Sequence, residues 1–209
     1  MVSQGLKANP NYQFTLLVRN PDNIEYDEEE KTKLTLIKGD AEKKDDVLKA
    51  IEGSDVVVFS VGSTITATFK MTYPELCQRT IQVLIDAIQS IEDPSQRPKR
   101  LVAVTTTGAV EHKEVPLLFK PLYHLALHAP HEDKKEMEAR IVKSCPIDWI
   151  IVRPSLLTNG ELTGQYRSSD STITGYTISR QDIGHFLLHQ CLDDENAKQW
   201  IKKYAVVTY

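Results

Sequence analysis

Side chains that could take part in chemistry directly follow several apolar runs of this sequence. Arg19 closes the run "QFTLLV", Asp40 follows "LTLIKG", and the run "LVAV" ends in "TTTG" at 105–108. An arginine at a strand end suits a phosphate group, because its planar guanidinium can donate two parallel hydrogen bonds. It is equally consistent with a solvated cation. A threonine hydroxyl suits a substrate carbonyl or a sugar, although a threonine run is also ordinary strand composition.

The histidines offer a second kind of chemistry. His124 and His128 are four residues apart, and His131 follows with acidic neighbours. Two histidines at this spacing share one face of a helix, as in zinc sites. However, Pro130 interrupts the segment and no glutamate stands between the pair as in HExxH. The pattern therefore favours separate loop and helix histidines over a metal site, and the same holds for His185 and His189.

Composition narrows the classes of protein. The 209 residues carry a net charge of −4, which argues against a general nucleic-acid binder. No apolar run approaches a membrane span, and the N-terminus has no signal-peptide core. The cysteines are odd in number and lack CxxC spacing, which favours buried, reduced thiols over a reactive one: Cys77, Cys145 and Cys191. We therefore expect a cytoplasmic protein.

Strand-like and helix-like segments alternate along the chain. "DVVVFSVG" (55–62), "LVAVTTTG" (101–108) and "DWIIVRP" (148–154) read as buried strands, which indicates a sheet covered on both faces. Thr72 and Glu75 predict a capping box before a helix, and Ser179 with Asp182 predicts another helix start. The alternation predicts a doubly wound, mostly parallel α/β sheet, and no linker divides residues 1–209.

Seven segments in this order resemble one family, the atypical short-chain dehydrogenase/reductases with an NAD(P)-binding Rossmann fold. They are "LLVRNP", "IKGDAEK", "DVVVFSVGS", "VAVTTTG", "DKKEMEARIVKSCPIDWIIVRPS", "LTGQY" and "ISRQDIGHFLLHQCL". The resemblance implies a first central strand followed by a GxxGxxG turn, which binds the cofactor pyrophosphate. None of the nine glycines belongs to such a motif. We therefore expect a shortened form of a longer protein, whose sheet lacks its first strand.

The resemblance also assigns residues to the adenosine half of the cofactor. Arg19 matches the position that selects NADP through its 2′-phosphate, and Asp40 with Ala41 matches the contact to the adenine amino group. Asp40 could instead be a turn carboxylate that caps the next helix. Gly62 and Ser63 match the strand end that approaches the cofactor closely, although Gly62 could equally serve a tight turn.

At the nicotinamide half, the resemblance assigns Thr106 to the active-site hydroxyl and Lys134 to the catalytic lysine, which is otherwise an ordinary solvated lysine. Pro154 and Ser155 match the segment that lines the nicotinamide. In typical members a tyrosine stands four residues before the lysine, and here that position is Pro130, so the general acid is missing.

These assignments imply NADPH-dependent reduction of a flavin-like or quinone-like acceptor, because such acceptors chiefly need binding and orientation. An alternative is an NADP-sensing regulator that binds a protein partner without turnover, or an inactive truncated form. A metal hydrolase built on the histidines is a weaker third option.

Overall fold

The structure, a computed structural model, describes residues 1–24, 26–64, 66, 71–110 and 128–209. Most strands of this part of the chain form one five-stranded sheet in the order β3-β4-β5-β9-β7. Their bounds are β3 Val56–Phe59, β4 Arg100–Val104, β5 Asp148–Pro154, β7 Arg167–Ser169 and β9 Lys203–Thr208. All pair in parallel except β7, which lies antiparallel to β9. The sheet is the mostly parallel one that the sequence predicts.

Two further pairs of parallel strands flank this sheet. β1 (Phe14–Val18) pairs with β2 (Leu34–Lys38), and β6 (Leu156–Thr158) pairs with β8 (Thr177–Ser179). Within the described residues β1 bonds only to β2, and β3 bonds only to β4. β3 is therefore only partly buried along most of its length, whereas β5 is buried from Trp149 to Pro154. This two-part parallel sheet matches the prediction of a sheet without its first central strand.

Helices cover both faces of the five-stranded sheet. On one face lie α3 (Lys44–Ile51), α4 (Leu76–Ser90) and α5 (His128–Ser144), which pack on Leu101 and Ile151. On the other, α6 (Arg180–Phe186) and the π-helical turn that continues it (Leu187–Leu192) pack on Val102 and Ile150. Neighbouring residues of each strand thus point into opposite cores, as a doubly wound sheet requires.

The remaining helices are short. They are α1 (Val2–Ala8), α2 (Glu28–Thr32) and α7 (Asp194–Ala197). Within the acidic segment that precedes β2, Asp27 and Glu30 form a capping box that starts α2. None of the described helices is long and apolar enough to cross a membrane.

The predicted capping box at the start of α4 is wrong. The helix begins at Leu76, and Glu75 before it has a left-handed backbone with φ 58° and no side-chain cap. The carboxylate of Asp133, from α5, instead accepts the N–H groups of Cys77 at 3.0 Å and Gln78 at 2.9 Å. A distant carboxylate thus takes the capping role that the local motif predicts for Thr72.

Candidate cofactor site at the carboxyl ends of the strands

The carboxyl ends of the parallel strands meet at one edge of the fold. Arg19, just beyond β1, stacks on the ring of Tyr73, which lies beyond β3. Glu42, just beyond β2, pairs with Arg79 of α4 at 2.8 Å. Ligands of open α/β sheets bind at this edge. The structure therefore brings the ends of the two separate parallel sheets together around one candidate site.

Lys134 lies in the middle of this edge and is held firmly. Its ammonium Nζ donates to the carbonyl oxygens of Val61, beyond β3, at 2.8 Å and of Val104, at the end of β4, at 3.0 Å. The alternative of an ordinary solvated lysine is therefore wrong. Its assignment to a cofactor ribose stays a prediction, but its location between Gly62 and Thr106 fits that assignment.

A buried ion pair fixes the helix that carries Lys134. Glu138, one turn further along α5, accepts two hydrogen bonds from Arg153 of β5, at 3.1 Å and 2.6 Å. Both side chains are almost fully buried, and the Arg153 guanidinium also lies 4.0 Å from the centre of the Tyr204 ring. Neither residue is among the predicted site residues, and the sequence does not predict their pairing. Only Arg153 leaves a signal, as a lone cation in the apolar run of β5, whereas Glu138 lies in a charged stretch.

Gly62 provides a test of whether this edge can take a cofactor. A Cβ atom added there would meet no atom of the described residues within 4 Å, so the space beyond the end of β3 is open as far as those residues are concerned. Gly62 does not have the left-handed backbone found at Gly53, Gly108 and Gly164. Its φ angle therefore does not require a glycine, and the close approach of a cofactor to Gly62 stays a prediction.

Arg19 and Ser63, which the resemblance assigns to the adenosine half of the cofactor, both contact Tyr73. The Arg19 guanidinium stacks 5.0 Å from the centre of the Tyr73 ring. The hydroxyl of Ser63 accepts the backbone N–H of Tyr73 at 2.9 Å. The strand end and the loop that begins α4 are thereby joined around Arg19.

Asp40 and Ala41 belong to the turn after β2. One carboxylate oxygen of Asp40 accepts the N–H of Glu42 at 3.0 Å, and the Asp40 N–H donates to Asp46 at 3.0 Å. Helix α3 begins later, at Lys44, so Asp40 caps the turn and not the helix. The structure shows no hydrogen bond between its other oxygen and a described residue. The contact of Asp40 to adenine therefore stays a prediction.

The residues that the resemblance assigns to the nicotinamide half lie at the ends of β4 and β5. The Thr107 N–H donates to the Pro154 carbonyl at 2.9 Å, which joins the two strand ends. Thr106 is half-buried and its hydroxyl makes a 3.3 Å bond to the adjacent Thr107 carbonyl. Ser155 is buried, and its hydroxyl bonds to Thr208 at 2.8 Å. Thr106 therefore has the more accessible hydroxyl, while Ser155 helps to hold the strand end.

The comparisons with known proteins show the family of this chain. Residues 1–195 match the model of a family described as NAD(P)H-binding. The chain belongs to this NAD(P)H-binding family. A reductase of Aspergillus terreus, pytE, is 29% identical over 181 residues, which cover 77% of this chain and 69% of that protein.

Solved structures show the same fold. A short-chain dehydrogenase/reductase from Veillonella parvula, in complex with NADP, has a TM-score of 0.72 at 14% identity. The match covers 100% of this chain and 88% of the Veillonella protein. ChuY, an anaerobilin reductase from Escherichia coli O157:H7, has a TM-score of 0.67 at 16% identity. The match covers 99% of this chain and 89% of ChuY. Our chain therefore has the Rossmann-type fold of these reductases.

The residues of this family member fit a dinucleotide at both ends of the edge. Its glycines form no GxxGxxG turn, so we assign the pyrophosphate contacts to no residue of the 209.

The described cysteines and histidines show neither an activated thiol nor a metal cluster. Burial raises the pKa of the Cys77 thiol to about 11, although the Lys134 ammonium lowers it, and burial raises the pKa of Cys191 to about 12. All three cysteines are free. His124 lies outside the described residues, and within those residues no three metal-ligating side chains cluster. Pro130 does not interrupt the helix, because it lies in the first turn of α5, where proline is tolerated.

Asp182 organises the segment beyond β5, whereas the sequence predicts only its role, with Ser179, at the start of α6. That role is confirmed, since the Asp182 N–H donates to the Ser179 hydroxyl at 2.9 Å. The buried carboxylate also accepts the N–H groups of Thr163 and Gly164 and the hydroxyl of Tyr209. Burial raises the pKa of Asp182, but these hydrogen bonds outweigh it and lower the pKa to about 2.

A cavity of about 410 Å³ opens elsewhere, beside β7. Tyr166, Asp170, Gln190, Trp200 and Lys203 line it together with three neighbours, and none is a predicted site residue. Lys203 and Asp170 already pair with each other at 2.7 Å. We therefore assign the chemistry to the carboxyl edge and not to this cavity.

Proposed function

We infer that this protein binds NADPH along the carboxyl edge and reduces a flavin-like or quinone-like acceptor. One observation carries the proposal: Lys134 is fixed between the ends of β3 and β4, beside the open space at Gly62. The family match and the reductase relative support an oxidoreductase, and the NADP complex of a structural neighbour supports the choice of cofactor.

The residues divide between the two ends of the cofactor. Arg19 would bind the 2′-phosphate, with Asp40, Ala41 and Ser63 beside the adenosine, because a guanidinium at the end of this strand favours NADP over NAD. At the other end Thr106 would orient the acceptor or the ribose, and Pro154 and Ser155 would line the ring. Lys134 would hold ribose hydroxyls while it keeps its two backbone contacts.

The proposed class of acceptor follows from the lack of a proton donor four residues before Lys134. Reduction of a carbonyl needs an acid near the lysine, and the position four residues before Lys134 is Pro130, which has no proton to give. Bound NADPH would supply a hydride. The chain then has only to orient two flat rings, and the exposed Leu156 after β5 offers an apolar surface for one of them.

A regulator that binds NADP without turnover is the second candidate. The hydroxyls at the nicotinamide end favour it, since those of Ser155 and Thr106 already have partners within the chain. Such a protein would use NADP as a signal and present a surface to a protein partner. It would bind the cofactor as a reductase does but would not oxidise it.

Two measurements on the full chain separate these candidates. Calorimetric titration with NADPH and NADH tests binding, and loss of NADPH absorbance with FMN or menadione tests turnover. We expect tighter binding of NADPH and turnover with at least one acceptor. Binding without turnover would favour the regulator, and no binding of either nucleotide by a folded chain would contradict both.

The role of Lys134 is tested by the variant Lys134→Met. Lys135→Met is its control. Lys135 is the next residue on the same helix and pairs only loosely, at 3.6 Å, with Glu132. We expect the first variant to lower kcat/KM by about tenfold or more, and the second to leave it within about twofold. Equal effects of the two variants would remove Lys134 from the site.

A further inference from the structure

The aromatic ring of Tyr73 has no role in the hydrophobic core. Tyr73 is a large hydrophobic residue, but it is 43% exposed to solvent. Its backbone, in contrast, is fixed, because its N–H donates to the Ser63 hydroxyl at 2.9 Å. The loop is closed a second time by Thr72, whose N–H donates to the Thr64 carbonyl at 2.9 Å and whose hydroxyl shares a 2.9 Å bond with that of Thr64.

These bonds aim the ring at one side chain. The Arg19 guanidinium carbon lies 5.0 Å from the ring centre, within the range of a cation–π contact. No carboxylate of the described residues forms an ion pair with Arg19, so its charge remains available to an anion. An exposed arginine otherwise samples many rotamers, and holding one of them reduces the entropy lost when a phosphate binds.

We propose that Tyr73 is a specificity-determining residue, which positions Arg19 to bind the 2′-phosphate of NADPH. The proposal rests on the cofactor assignment of the proposed function and deepens it. Ser63 contributes to the same positioning, because its hydroxyl accepts a hydrogen bond from the Tyr73 backbone N–H. The ring carries the effect, since the structure shows no hydrogen bond from the Tyr73 hydroxyl to another described residue.

The test uses nucleotides that report on the adenosine end alone. Adenosine 2′,5′-bisphosphate and adenosine 5′-monophosphate differ in the 2′-phosphate and need neither the nicotinamide nor a complete pyrophosphate site. Their dissociation constants would be measured by calorimetry for the wild-type chain and for Tyr73→Leu, Tyr73→Phe and Arg19→Gln. The ratio of the two constants is the preference for the 2′-phosphate.

We expect Tyr73→Leu to lower this preference by about two- to fivefold, the size of an exposed cation–π contact, and Tyr73→Phe to keep it. Binding of the monophosphate should stay unchanged in both variants. Arg19→Gln should lose the preference, and adding Tyr73→Leu to Arg19→Gln should change nothing further, because the tyrosine acts through the arginine.

Three results in the variants would overturn the inference: an unchanged preference in Tyr73→Leu, an equal loss of affinity for both nucleotides, or additive effects in the double variant. An equal loss would instead mean that the ring contacts the adenine. A wild-type chain without any 2′-phosphate preference would contradict both this inference and the NADPH assignment. A preference carried by Tyr73 in a chain without turnover would contradict only the reductase.

Discussion

Glu138 of α5 and Arg153 of β5 form a buried bidentate ion pair, with the Arg153 Nη2 atom 2.6 Å from the Glu138 Oε2 atom. The pair fixes the helix whose preceding turn carries Asp133 and Lys134. Asp133 caps α4, and Lys134 joins the ends of β3 and β4. One ion pair in the core thus sets the position of the residues at the carboxyl edge.

Removal of one partner of this pair should destabilise the fold strongly. Arg153→Met leaves the Glu138 carboxylate buried without its cation, and we expect a loss of about 3–5 kcal/mol in the free energy of unfolding. Urea denaturation measures it. The double variant Arg153→Met/Glu138→Leu should recover much of that loss, because no buried charge remains. A single variant that costs less than about 1 kcal/mol would contradict the structural role of the pair.

Gly62 and Gly39 make a matched pair for substitution by alanine. A Cβ at Gly62 meets no atom of the described residues within 4 Å, so Gly62→Ala should keep the stability of the wild type and lower NADPH affinity at least several-fold. A Cβ at Gly39 would lie 2.8 Å from Leu17 and 2.9 Å from Asp46, so Gly39→Ala should cost about 1–3 kcal/mol of stability. Melting temperature and calorimetric affinity test the two effects. Unchanged NADPH binding by Gly62→Ala would mean that no ligand occupies that space.

Asp182 should make stability depend on pH in the acid range. The pKa of its carboxyl in the folded protein, about 2, lies below its ordinary value of 3.8. A depressed pKa contributes stability above the ordinary value, and that contribution is lost as the pH falls toward about 2. We therefore expect the stability difference between the wild type and Asp182→Asn to shrink between about pH 4 and pH 2. Urea unfolding at several pH values measures it, and a difference that stays constant would contradict the assignment.

The two-part sheet should open unevenly. β1 and β2 form a two-stranded unit, which is marginal on its own, whereas β4 and β5 lie within five strands and are buried. Amides of β1 and β2 should therefore exchange with deuterium well before those of β4 and β5. Mass spectrometry of peptic fragments resolves the two regions. Equal protection would show that the smaller sheet is stabilised as well as the larger one.

The sequence predicts the regular elements of this fold well where composition alone decides them. The run "DWIIVRP" becomes β5 with the predicted bounds, because its residues from Trp149 onward are buried on both faces and leave a clear apolar signal. The short strands β6, β7 and β8 were missed, since three residues each carry no periodicity. The sheet in two parts follows from the predicted absence of a strand.

The site is less predictable, because its contacts join distant parts of the chain. The Thr72 and Glu75 motif looks like a cap, but the carboxylate of Asp133, 56 residues from Cys77, takes that role. Neither the Tyr73 contact to Arg19 nor the two carbonyl bonds of Lys134 leave a pattern in local sequence. Resemblance to a family located the candidate residues, and only the fold shows what holds each of them.

The central claim, an NADPH site at the carboxyl edge, is tested most directly by hydrogen–deuterium exchange of the full chain with and without NADPH. We expect protection in the peptides that contain Arg19, Asp40, Gly62 and Thr106, and no change in the peptides around the cavity at β7. Protection confined to other regions, or none at saturating NADPH, would contradict the claim.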